Sequence, residues 1–234
     1  MRDIILNMFL RRPYRTFATA ALAVSIGAGP AVAAQTGYWN GAASYGTRAT
    51  IDATATPTVP SNGDFISFVR IQSSITDPNA GLYQTGHHIA GATSLNNCGA
   101  NRTGWFEEWK VVGGPYHCNG WGLGNSFPSA GLFTVTRDPN AAQYWRMYVN
   151  GNFITMKGPL GFNSGVSLAG GEWTGSPGSN YHARWGLASG ATVWQLRLGT
   201  TTSFINVPAT SANVFTEANA FTISGSAPAF SVNR

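Results

Sequence analysis

Apolar and polar positions alternate along most of this chain in short runs. DFISFVRIQ at 64–72 is dense in aromatic and β-branched residues, and LFTVTRD at 132–138 sets Phe133 and Val135 opposite Thr134 and Thr136. Both patterns predict strands. QYWRMYV and NFITMKG meet at Asn150-Gly151, a pair that supplies the positive φ angles of a type I′ turn and so predicts a hairpin. VSLAGGEW reads as an apolar strand in which two glycines permit close backbone approach. ATVWQLRLG at 191–199 and NAFTIS at 219–224 predict late strands. TGYWNGAASYG and TATPTVPSNG, within 34–62, read as a lead-in strand followed by a loop. The segment from about 200 is rich in Thr, Ser and Ala and reads either as edge strands or as a loosely docked tail. No repeat and no long helix-period stretch interrupts this pattern, so the expected architecture is all-β, an antiparallel β-sandwich of concanavalin-like or jelly-roll type.

Residues 1–33 do not share the pattern. Arg2, Arg11, Arg12 and Arg15 precede the small-residue apolar stretch TFATAALAVSIGAG, and Ala31-Val32-Ala33 offers an A-x-A cleavage site. This is the layout of a secretory signal. Its apolar core is short and carries Thr and Ser, which argues against stable membrane anchoring. The expected organisation is a signal over 1–33 and a single sandwich domain over 34–234, secreted and monomeric.

Charge adds little once the signal is set aside. The formal +5 of the whole chain falls to about +2, because four arginines and one aspartate leave with residues 1–33. Basic residues do not cluster with aromatics in the sequence, so nucleic acid is not expected as a partner. The two cysteines, Cys98 and Cys118, are read as a disulfide of an exported chain. Such a bridge closes a loop of about twenty residues and contributes roughly 3 kcal/mol in the chain-entropy picture. His117 adjoins Cys118 and His87-His88 lies nearby, but the spacing matches no zinc pattern, and neither metal nor cofactor is expected.

The chemistry therefore has to come from a few polar side chains. There is no G-x-S-x-G elbow, and no Gly-rich loop is followed by Lys-Ser or Lys-Thr. The chain has four glutamates, Glu107, Glu108, Glu172 and Glu217. Glu172 has no other acid within thirty residues on either side, which excludes the two-carboxylate strand of sandwich glycosidases. Glu107 and Glu108 are adjacent, so on a strand they point to opposite faces. Glu172 in GGEW is either a surface glutamate in a Gly-rich turn or a carboxylate desolvated beside an indole, whose raised pKa suits acid–base work. Gln84 in GLYQTGHHIAG is either a satisfied core amide or a donor to a developing oxyanion. His87 and His88 are expected to put one ring on each face of their strand. The tryptophans at 105, 121, 145, 173, 185 and 194 belong to the core or a cleft wall, or form a sugar-stacking platform.

YQTG, GWFEEW and GGEW, in that order and approximate separation, resemble the motifs of the eqolisin-type glutamic peptidases. SYG at 44–46, the Cys118 region, TRDPNAAQYWRMYVNG and the Gly-Gly-Glu at 170–172 are also similar to the neprosin-type peptidases. Together these stretches cover most of residues 44–186. The resemblance implies a β-sandwich peptidase acting on polypeptide at acid pH without a cofactor. Glu172 is then the general base, and Gln84 polarises the scissile carbonyl. Glu108, Trp109 and Trp173 are implied as substrate contacts, together with Phe68, which stands where eqolisins carry a Trp. The alternative is a non-catalytic carbohydrate-binding module on a concanavalin-like sandwich, or an inactive secreted relative.

Overall fold

The structure, a computed structural model, describes residues 34–53, 58–91, 103–122, 130–175, 179–199, 201–217 and 221–234. The expected signal and Cys98 lie outside these residues. No helix among the described residues is long and apolar enough to cross a membrane.

Among the described residues, fifteen strands and one short 3-10 turn make up the fold. In chain order they are β1 (Ala34–Ala53), β2 (Asp64–Gln72), β3 (Leu82–Ala90), β4 (Thr103–Lys110), β5 (Tyr116–Gly122), β6 (Gly131–Arg137), β7 (Trp145–Val149) and β8 (Asn152–Lys157). There follow β9 (Gly165–Thr174), β10 (His182–Trp185), β11 (Gln195–Leu198), β12 (Ile205–Asn206), β13 (Ala212–Thr216), β14 (Thr222–Ser226) and β15 (Ala229–Asn233). Every strand pair is antiparallel, as expected for a sandwich of this kind.

The lead-in segment turns out to be the central element. β1 is a 20-residue strand that serves both layers. Its first half lies between β9 and β13, and after an irregularity between Asn40 and Ser44 its second half pairs with β6, β10 and β11. One layer thus runs β13-β1-β9-β2-β3-β4-β5, and the other carries β8-β7-β6-β1 with β10-β15-β14 and β11-β12. Sequence pattern alone missed this because Gly, Ala and Ser interrupt the apolar alternation where the strand changes layers.

The core between the layers collects the inward side chains of both. Phe65, Val69, Ile71 and Tyr83 from one layer meet Ala49, Phe133, Val135, Met147 and Trp185 from the other, all buried. The C-terminal segment is docked rather than loose, since Phe230 and Val232 on β15 are fully buried in this core. The Asn150-Gly151 hairpin joins β7 to β8 with φ of 52° and 80°, as the sequence predicts.

Candidate active site

Period-two alternation decides which side chains share the outer face of the β1-β9-β2-β3-β4 layer. Cross-strand register arranges them in three rows. Leu168, Arg70, Gln84 and Glu108 lie side by side on β9, β2, β3 and β4. Gly170, Phe68, Gly86 and Phe106 form the next row, and Glu172, Ile66, His88 and Gly104 the third. Gln35 on β1 stands opposite Glu172. Ile66, Phe68, Phe106 and Leu168 make a small apolar cluster of their own beneath the polar groups.

The middle row explains the glycines of GGEW. A Cβ on Gly170 would lie 2.4 Å from the Thr36 carbonyl oxygen, and one on Gly86 would lie 1.7 Å from that of Ser67. Only glycine permits this closeness of the strands. Gly171 points inward, towards Val232 and Tyr181. Arg70 extends over the Phe68 ring, its guanidinium carbon 4.3 Å from the centroid.

Arg70 is the hub of the polar network. Its Nε donates to Gln84 Oε1 at 2.5 Å, Nη1 to Gln35 Oε1 at 3.1 Å and Nη2 to Glu172 Oε2 at 3.1 Å. Gln35 Nε2 also donates to Glu172 Oε2, at 2.9 Å, and Gln84 Nε2 donates to Glu108 Oε2 at 2.7 Å. At the rim the Gln35 backbone N–H donates to Glu217 Oε2 at 2.9 Å. One buried cation therefore meets the buried Glu172 carboxylate directly and the half-buried Glu108 carboxylate through Gln84.

Burial raises the Glu172 pKa from 4.5 to about 7; Arg70 and the Gln35 hydrogen bond oppose the rise, while Glu108 and Glu217 reinforce it. Glu108 is likewise raised by burial, against the pull of Arg70, the Gln84 hydrogen bond and His88. Tyr116 on β5 is raised by burial and by both carboxylates, with Arg70 opposing. A carboxyl group that exchanges its proton near neutrality suits a general base or acid.

The expected site residues divide between two faces. Glu172, Gln84, Glu108 and Phe68 come together on the outer face. Trp173 and Trp109 do not join them, because they occupy alternate positions on their strands. Trp173 is buried in the inter-layer core, with Arg234 over its ring, and Trp109 packs at the edge of that core, stacked on His117 and covered by Lys157. The indole expected beside the Glu172 carboxylate is therefore on the far side of the sheet, and the apolar floor is supplied by Phe68 and Ile66 instead.

Glu107 and Glu108 do point to opposite faces. Glu107 is fully buried on the inner side, where it accepts from Tyr83 and Asn119, each at 2.8 Å, and pairs with Lys157 at 2.9 Å. His87 faces inward against Phe133, and burial lowers its pKa to about 3; His88 faces outward and meets Asp64 at 3.3 Å.

Arg70 and Gln35 were not singled out from the sequence. Arg70 leaves a trace there, as the one cation inside the apolar run DFISFVRIQ. Gln35 leaves none, since its role depends on β1 lying beside β9. Among the described residues no group of three or more His, Cys, Asp or Glu is placed to hold a metal ion. No cysteine there is free, and the second member of the expected disulfide, Cys98, lies outside them.

No family model and no curated protein matches the chain. Solved structures do. Scytalido-glutamic peptidase with a peptide-based transition-state analog aligns over 87% of this chain and 98% of its own, with a TM-score of 0.55 and 11% identity. SCP-B, a member of the eqolisin family of peptidases in complex with the tripeptide Ala-Ile-His, aligns over 87% and 98%, with a TM-score of 0.53 and 10% identity. At such identity the likeness establishes a shared fold, the β-sandwich of these peptidases.

Proposed function

We propose that this chain is a glutamic-type endopeptidase in which Glu172 activates water and Gln84 stabilises the tetrahedral intermediate. The observation that carries the reading is the convergence of Glu172 and Gln84, from separate strands, on one guanidinium within a peptidase-type sandwich. Glu172 Oε2 accepts two hydrogen bonds, while Oε1 takes none from the described residues and is the oxygen available to a water.

Glu172 Oε1 removes a proton from that water as its oxygen attacks the scissile carbonyl carbon. The carbonyl oxygen becomes an oxyanion facing the second N–H of Gln84, the first being held by Glu108. The protonated Glu172 then gives its proton to the amide nitrogen, the C–N bond breaks, and carboxyl and amine products leave. Because burial holds Glu172 near 7, the expected working range moves from acid towards neutral pH.

The substrate is an extended polypeptide lying over Glu108, with Phe68, fully buried under the Arg70 guanidinium, serving as floor rather than as the contact expected from the sequence; the neprosin-like motifs support the same pairing of a glutamate with a polar partner. Export through residues 1–33, a Cys98–Cys118 bridge and a monomeric state belong to this proposal. Against the carbohydrate-binding alternative, Trp145, Trp173, Trp185 and Trp194 are buried in the core and offer no ring to a sugar, while Trp105 is half-buried and the Trp121 side chain lies outside what the structure describes. The test is hydrolysis by Glu172→Gln and Gln84→Ala variants: both are expected to lose cleavage while staying folded, and full activity in either would refute the assignment.

A further inference from the structure

We infer that Arg70 is the positioning residue of this site, fixing which atoms Gln84 and Glu172 present to the substrate. The inference rests on the peptidase reading above for its kinetic consequences but not for its structural ones. A guanidinium has donors only, so the atom of Gln84 that meets Arg70 Nε has to be the carbonyl oxygen. This forces the amide nitrogen towards Glu108 and leaves one N–H with no hydrogen bond to the described residues. The same guanidinium, with Gln35, occupies Glu172 Oε2 and so reserves Oε1 for other chemistry.

Arg70 is 5% exposed, lies on the Phe68 ring, and each of its three nitrogens already donates one hydrogen bond into the network. Its effect passes through its neighbours. Gly86 and Gly170 let the strands that carry the network approach closely, and Phe68, on whose ring the guanidinium lies, belongs to a buried apolar cluster with Ile66, Phe106 and Leu168. The titratable and charged groups bearing on Glu172 are Arg70 on β2, Glu108 on β4, Tyr116 on β5 and Glu217 just after β13, while His88 on β3 bears on Glu108. Arg70 is the permanent cation among them.

The test compares Arg70→Met and Arg70→Lys with the wild-type chain by pH-dependent hydrolysis of a denatured protein and by direct carboxyl titration of Glu172, for example by carbon-13 NMR. Arg70→Met is expected to lower kcat about 100-fold with little change in KM, since the reacting groups lose alignment rather than contact with substrate. Without the cation, Glu172 titrates higher by roughly one pH unit or more, and the acid limb of the activity moves up with it. Arg70→Lys keeps the charge but cannot hold Gln84, Gln35 and Glu172 at once, so it retains the limb and recovers kcat only partly.

If Arg70→Met fails to fold, Arg70→Lys decides, because full kcat in that variant would show that charge alone suffices and overturn the positioning role. A folded Arg70→Met with an unmoved Glu172 titration overturns the inference. So does one that cleaves faster than wild type, which would make Arg70 a block between the dyad members. A wild-type chain that cleaves nothing at any pH refutes the peptidase reading alone, and the Glu172 titration still tests Arg70.

Discussion

Glu172→Gln removes one titrating group from the buried network, and its effect on stability can be worked out from the structure. In the folded chain Glu172 keeps its proton up to about pH 7, against an ordinary value of 4.5. Between these pH values the native state binds more protons here than the unfolded state, so the contribution to stability is complete below about 4.5 and is lost as pH rises towards 7. At roughly 1.4 kcal/mol per pH unit, the loss across the window is on the order of 3 kcal/mol. The glutamine variant keeps the shape and an oxygen for Arg70 but has no proton to lose. Glu108 and Glu217 are also raised, so both proteins lose stability with pH. The difference between them reports Glu172 together with its coupling to Glu108 and Glu217. Urea unfolding at a series of pH values from 4 to 8, with any disulfide kept intact, gives that difference as a curve. It is expected to change through the window in favour of the variant and to flatten on either side. Parallel curves for the two proteins would show that Glu172 ionises as if in water and refute the buried-carboxyl reasoning.

Three further outcomes test the placement of individual residues. Gly170→Ala puts a Cβ 2.4 Å from the Thr36 carbonyl, so β1 and β9 must separate; the expected cost is about 2 kcal/mol, a Tm lower by about 4–8 °C by thermal unfolding. Trp173→Ala empties a core position rather than a cleft wall, so chemical denaturation is expected to show a loss of about 3–5 kcal/mol while the pH limb of hydrolysis stays in place. Glu108→Gln removes a negative charge that raises Glu172, and the acid limb of the pH–rate profile is expected to move to lower pH.

Much of the fold was legible in the alternation of single strands: β2, β6, the β7-β8 hairpin and β9 stand where Phe, Val, Ile and the Asn-Gly turn place them. β1 was legible only as a lead-in strand over TGYWNGAASYG; its continuation through both layers was not, because a strand that leaves one layer and enters the other changes the face it buries, and its pattern breaks at Gly41, Ala42 and Ala43. In the site, Glu172, Gln84 and Glu108 were visible as rare polar groups in motif-bearing strands. Which of their aromatic neighbours would accompany them depends on parity, and Trp173 and Trp109 follow their carboxylates by one residue, which sends both to the other face. Arg70 is a partner to these groups only through register, since it lies 14 residues from Gln84 and 102 from Glu172 along the chain.

The most direct test of the central claim is hydrolysis of a denatured protein by the chain spanning 34–234, from pH 3 to 9, beside Glu172→Gln. The account predicts cleavage by the wild-type chain, rising on the acid side through a limb near pH 7 and abolished in the variant. Equal cleavage by both proteins, or none by either when both are folded, would contradict it.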